Sequence, residues 1–161
     1  MGETPAVKRS QPTIVVKCDG SYCPETKIMA YGFVVYPSGS SNPICTHQEV
    51  WTADDPTVGA SNHIAEALAV HTALEWLAAN GYQNERCRVY SDNQSLVRQL
   101  NTVSKVRSDD LHHLISSSKS IATDFNLCRF RWRRRSHNKV ADKLAHSALR
   151  QAQVAVGFRT A

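Results

Sequence analysis

The chain has 161 residues, enough for one hydrophobic core and too few for two. At 42% hydrophobic and 20% charged residues, with 7 Gly and 6 Pro, it is neither disordered, collagen-like nor low in complexity. The formal net charge of +5 hints at a polyanionic partner, although where the charge sits matters more than its sum. The five cysteines (Cys18, Cys23, Cys45, Cys87 and Cys128) are odd in number and scattered, with no Cys-x-x-Cys pair. That pattern disfavours a disulfide framework and a structural zinc site, and predicts reduced thiols in a cytoplasmic protein. No apolar run is long enough to span a membrane, and residues 1–12 carry no secretory h-region.

Residues 1–12 lack periodicity, hold two prolines and read as a flexible tail. Three short apolar runs follow: Thr13–Cys18, Ala30–Tyr36 and Ile44–Trp51. The last two are separated by the turn-rich stretch Pro37–Pro43, so the three read as an antiparallel meander. Ser61–Asn80 is dense in strong helix formers. Ser61 or Asn62 can cap its start, and Asn80-Gly81 stops it. It is apolar on most faces, as expected of a helix covered on two sides. Cys87–Ser91 reads as a buried strand and Gln94–Leu100 as a short helix. Asp109–Phe125 places Leu111, Leu114, Ile115, Ser118, Ile121, Ala122 and Phe125 on one helical stripe. Leu127–Arg133 reads as a fifth strand with Leu127, Phe130 and Trp132 inside and arginines outside. Asn138–Arg150 returns to helical spacing through Val140, Ala141, Leu144, Ala145 and Ala148. The order is three strands, a helix, a strand, two helices, a strand and a helix.

Four acids stand out in this scheme. Asp19 is predicted to end the first strand and Asp92 the fourth; Glu66 lies inside the most apolar helix; Asp142 lies in the first turns of the last helix. The first and fourth strands are short, apolar and connected by helices, which predicts a sheet centre with their C-terminal ends side by side. An isolated Asp after a strand is more often a turn or cap residue, and Asp142 alone could complement a helix N-terminus. Glu66 among Ala and Leu is harder to dismiss, because a buried acid needs a partner. Clustered carboxylates repel unless cations lie between them, and hard oxygen donors suit Mg²⁺ or Mn²⁺.

Four motifs in order, Asp19-Gly20-Ser21, Asn62-His63-Ile64-Ala65-Glu66-Ala67, Ser91-Asp92-Asn93-Gln94 and Asn138-Lys139-Val140-Ala141-Asp142, resemble type I ribonuclease H. The resemblance spans about residues 13–150. It implies an α/β fold: a five-stranded mixed sheet, three antiparallel strands then two parallel, with helices on both faces. It assigns residues 13–150 to a catalytic domain and 151–161 to a C-terminal extension. The implied activity is hydrolysis of the RNA strand of RNA–DNA hybrids, leaving 3′-hydroxyl and 5′-phosphate ends. Two Mg²⁺ ions, with Mn²⁺ as a substitute, would be held by Asp19, Glu66, Asp92 and Asp142. Implied substrate contacts are Gly20, Ser21, Ser61, Asn62, His63, Gln94 and Asn138; capping alone would also explain Ser61 and Asn62.

The stretch Arg135-Ser-His-Asn138-Lys-Val-Ala-Asp142 resembles the shorter branch of that family. It puts Arg135 first and His137 second as residues assisting catalysis. Three departures stand against the pattern: Tyr22–Met29 replaces a glycine-rich turn, His63 replaces an Asn, and no basic protrusion is inserted after the fourth strand's helix. The implied partner is a hybrid, bound by a monomer. Double-stranded RNA, structured DNA, or pure hybrid binding without catalysis are the alternatives. The chain reads as free-standing, with an excised reverse-transcriptase domain as the other option. Finally, Arg129-Phe-Arg-Trp-Arg-Arg-Arg135 holds five Arg in seven residues. It is either an edge strand blunted by charge or a phosphate-tracking stripe, to which Lys8, Arg9, Lys105 and Arg107 could add.

Overall fold

The computed structural model describes residues 11–52, 59–103, 106 and 108–158. Most of the expected N-terminal tail, with Lys8 and Arg9, lies outside that range, as do Lys105, Arg107 and residues 159–161. The β-branched and aromatic runs form the meander β1 (Ile14–Cys23), β2 (Ile28–Pro37) and β3 (Cys45–Trp51). Helix α1 (Asn62–Ala79) leads to β4 (Arg86–Ser91). Helices α2 (Gln94–Asn101) and α3 (Asp109–Thr123) precede β5 (Leu127–Trp132), and α4 (Lys139–Ala155) ends the fold. The sheet order is β3-β2-β1-β4-β5, antiparallel from β1 to β3 and parallel from β1 to β5. This is the mixed sheet that the sequence led us to expect, with β1 at its centre.

Alternation along β1 divides the molecule. Ile14, Val16 and Cys18 join the larger core under α1, and α3 packs outside α1. The nearly uniform apolarity of α1 is thereby explained, since both the sheet and α3 cover it. On the other sheet face, α4 crosses β1, β2 and β3 and closes a smaller core of Cys23, Ile28, Ala30, Ala148 and Leu149.

Two glycines let both helices approach closely. A Cβ at Gly20 would stand 2.3 Å from the Ala65 carbonyl carbon and the Glu66 nitrogen, and one at Gly32 would stand 2.6 Å from Leu144 Cβ. Because the obstacle at Gly20 is helix backbone, Gly20→Ala forces α1 off the sheet. Overpacking of this kind costs about 3 kcal/mol, which corresponds to about 6–12 °C in melting temperature, measurable by calorimetry. A melting point within 1 °C of wild type would overturn this packing account.

Four local expectations need correction. β1 does not stop before Asp19. Its pairing with β2 continues from Asp19↔Gly32 to Cys23↔Ile28, so the acid lies inside a strand. The turn-like Gly20-Ser21 is overridden by that ladder, and the hairpin closes only over residues 24–27, where Lys27 takes a φ of 55°. Trp132 is 42% exposed rather than inside: period-two alternation puts it on the face of Cys128 and Phe130, but it is the last residue of an edge strand. Leu127 shares its face with Arg129 and Arg131. Val140, expected on the buried stripe of α4, is 45% exposed. The helix itself continues past Arg150 to Ala155 and buries Gln153.

Candidate active site

Pairing between β1 and β4 ends at Lys17↔Tyr90, and just past that point both chains carry an acid. Asp19 continues along β1; Asp92 follows β4. The close approach of α1 over Gly20 brings Glu66 to the same spot. One carboxylate oxygen from each of Asp19, Glu66 and Asp92 lies within 4.8 Å of the other two. Asp19 is 5% and Glu66 7% exposed, so both charges are largely withdrawn from water.

Glu66 is held by two amides: Asn62 Nδ2 donates to Oε1 at 3.2 Å, and Asn93 Nδ2 donates to Oε2. Asn93 also accepts from the Leu96 N–H at 3.0 Å and so caps α2. The backbone carbonyl of Asp92 accepts from Trp132 Nε1 at 3.0 Å, which ties the end of β4 to the end of β5. Asp19 accepts from the Gly20 N–H at 2.9 Å.

The electrostatics follow from this crowding. Burial first, then the charge of Asp92, a hydrogen bond that protonated Asp19 donates to Asp142, and the charges of Glu66 and Asp142 push Asp19 up to about 8. Burial and Asp92 raise Glu66 to about 7 against the amides of Asn93 and Asn62 and the charge of Arg135, all of which lower it. Asp92 is raised by burial and by Asp142, with Arg135 opposing.

Asp142 stands beside this triad, within hydrogen-bonding reach of Asp19. It makes a 2.9 Å ion pair with Arg135 Nη2 and lies 3.5 Å from His146 Nδ1, one turn along α4. The four predicted acids therefore converge, with Arg135 at their rim. Ser61 caps α1 through a 3.1 Å bond from Ile64 N–H, Asn62 and Gln94 are exposed at the starts of α1 and α2, and His63 contacts Gln99 at 3.3 Å.

Gly20 and Ser21 are buried. Asn138 is buried completely, its Nδ2 donating to the Cys18 carbonyl at 2.8 Å, so it fastens the start of α4 to β1 rather than facing solvent. His137 is not brought to the acids; it lines a separate cavity with Lys17, Arg88 and Tyr90. Sequence reasoning missed Asn93 and His146. The available signals were an Asn positioned to cap a helix directly after the strand-ending Asp, and a His four residues after Asp142.

Residues 44–148, about two thirds of the chain, match the family profile described as reverse transcriptase-like. The chain belongs to this ribonuclease H-like family. That match contains Glu66, Asp92 and Asp142 but begins after Asp19, which the fold supplies. The structure of this family member is similar to the N-terminal RNase H domain of Rv2228c from Mycobacterium tuberculosis, with a TM-score of 0.77 and 24% identity. The overlap covers 91% of this chain and 99% of that one.

RNase H1 from Halobacterium salinarum gives 0.74 at 23% identity, covering 86% and 98%. LC11-RNase H1, solved with an RNA/DNA hybrid, gives 0.73 at 23% identity over the same shares. In sequence, the bifunctional protein Rv2228c of M. tuberculosis is 28% identical over 120 residues, 69% of this chain and 32% of its own length. The chain thus spans about a third of the curated relatives it matches.

Proposed function

We propose that this ribonuclease H-like chain is an endoribonuclease that hydrolyses the RNA strand of RNA–DNA hybrids with the help of divalent cations, leaving 3′-hydroxyl and 5′-phosphate ends. The observation that carries the reading is the convergence of the Asp19, Glu66 and Asp92 carboxylates within 4.8 Å. Among the described residues no Lys or Arg is ion-paired to any of the three. Three crowded carboxyl groups, raised first by burial and then by neighbouring acids, call for cations from outside the chain, and an all-oxygen donor set fits Mg²⁺ or Mn²⁺. Asp19, Glu66 and Asp92 would hold one ion, and Asp142 beside Asp19 would help hold a second. When bound, such ions supply positive charge to the phosphodiester and acidify water.

The remaining tasks fall to the protein. The amides of Asn62 and Asn93 aim Glu66 at the centre of the triad. Trp132 fixes the backbone beside Asp92. Ser61, Asn62 and Gln94 place short polar groups at the N-termini of α1 and α2, next to the acids. Groups of this reach can meet 2′-hydroxyls and phosphates in the shallow minor groove of a hybrid. Arg135, exposed and paired to Asp142, is poised to exchange that partner for a phosphate oxygen.

The decisive test is hydrolysis of matched end-labelled duplexes in Mg²⁺ and in Mn²⁺: a hybrid, double-stranded RNA and double-stranded DNA. Cleavage of the RNA strand of the hybrid alone is expected. Preferential cutting of double-stranded RNA or DNA would reassign the substrate, and metal-independent binding without turnover would make the chain a binding module.

A further inference from the structure

The face of the sheet that α4 leaves open carries an unusual charge. Pairing places Lys17 beside Tyr90 and Tyr90 beside Arg131, and the row below is Val15, Arg88 and Arg129. Arg86 and Arg133 extend the field at either end. Strands β4 and β5 contain no acidic residue. Among the described residues, none of these six cations forms an ion pair with a carboxylate. Protection of an edge strand explains charge on β5 but not Lys17 or Arg88, because β1 and β4 are interior strands.

Within this face a cavity of about 330 Å³ is lined by Lys17, Ser38, Arg88, Tyr90, Arg133 and His137. Its cations converge on one hydroxyl: Arg133 Nη2 donates to Tyr90 Oη at 3.3 Å and Arg88 Nη1 at 3.5 Å. The Arg133 guanidinium also lies over the Tyr90 ring at 4.8 Å. Burial pushes the Tyr90 phenol up, yet the two arginines outweigh it and leave the group below its ordinary range, a sign of concentrated positive potential. The Arg88 Nε is buried without a hydrogen-bond partner. A second groove adjoins through the shared Val15 and Lys17, and continues past Tyr36, Ser40 and Val140.

We infer that this open face of β1, β4 and β5 is a second nucleic-acid surface, which binds a single strand through its phosphates and seats one phosphate between Lys17, Arg88 and Arg133. Charge complementarity identifies the occupant: unpaired cations along interior strands match a polyanion, and the guanidinium plane of Arg133 offers a stacking surface for a base. At one end of the face Arg133 lies two residues from Arg135, which pairs with Asp142 at the acids. The surface acts by binding alone and does not depend on the nuclease reading.

The test is fluorescence anisotropy of a labelled oligothymidylate on the full chain in EDTA, over a salt series, with an Arg88→Gln/Arg131→Gln double variant. The dissociation constant is expected to rise at least about tenfold. The salt slope of log K should fall by about 1.4, at about 0.7 per lost contact on a single strand. Arg129→Gln, an exposed position on the edge strand, should give about half that slope change and guards against misfolding of the double variant. Cleavage of a blunt hybrid by both variants should stay within twofold of wild type. Unchanged affinity and slope in both variants overturn the inference. A chain that cleaves nothing but binds the oligonucleotide through Arg88 and Arg131 would sink the nuclease reading and leave this surface standing.

Discussion

Asp19→Asn is expected to reduce hybrid cleavage by on the order of 10³ or more, while raising the melting temperature of the metal-free chain at pH 8. Loss and gain have the same origin. Asp19 sits at the centre of the crowd, where burial, Asp92, Asp142 and Glu66 all oppose its charge. An amide of the same shape keeps an acceptor for the Gly20 N–H but removes the buried charge, so folding no longer has to confine it. It also removes a carboxylate that would hold cations. Hybrid affinity, which rests on phosphate and minor-groove contacts, should change by less than about threefold. Wild-type turnover in Asp19→Asn would remove the triad from the mechanism, and an unchanged melting temperature would show that the acids do not strain the fold.

The second large effect concerns pH and divalent ions together. The folded pKa of Asp19, about 8, exceeds its ordinary value of 3.8, and that of Glu66, about 7, exceeds 4.5. The folded state therefore binds these protons more tightly than the unfolded chain does. Their contribution to stability is complete below about pH 4 and is lost as pH rises toward about 8. In EDTA, the melting temperature should fall by on the order of 5 °C between pH 5.5 and pH 8.5. Millimolar Mg²⁺ should reverse the fall at pH 8.5 and do little at pH 5.5, where protons already occupy the site. Mg²⁺ titrated in at pH 7 should release protons, seen as a buffer-dependent heat in calorimetry. Equal Mg²⁺ stabilisation at both pH values would contradict a site built from these acids.

Much of this centre is legible in the sequence because the acids sit where local patterns make them anomalous. Glu66 interrupts an alanine-rich helix, and Asp92 follows a short apolar strand directly. Periodicity likewise carries the order of strands and helices, since one face of each is buried. What the pattern does not contain is the set of relations between elements. Gly20-Ser21 has the chemistry of a turn, yet ten paired residues with β2 hold it extended. Asn138 is polar and follows a basic loop, so it reads as a surface residue until its bond to the Cys18 carbonyl is seen. The phase of β5 is right at Phe130 and its flanking arginines, but Leu127 falls on the arginine face, and Trp132, on the face of Phe130, stays exposed at the strand's end. His137 lies two residues from Arg135, but the 3₁₀ turn over Arg135–His137 sends it to the cationic cavity instead.

Asn93 joins two events that are usually separate. Its oxygen receives the Leu96 amide at the start of α2, and its nitrogen holds Glu66 on α1. Fraying of one helix end and misalignment of a carboxylate on another element are thus a single motion about one side chain. Hydrogen exchange at the Leu96 amide becomes a backbone reporter of how tightly Glu66 is held, readable in the resting protein without substrate or metal.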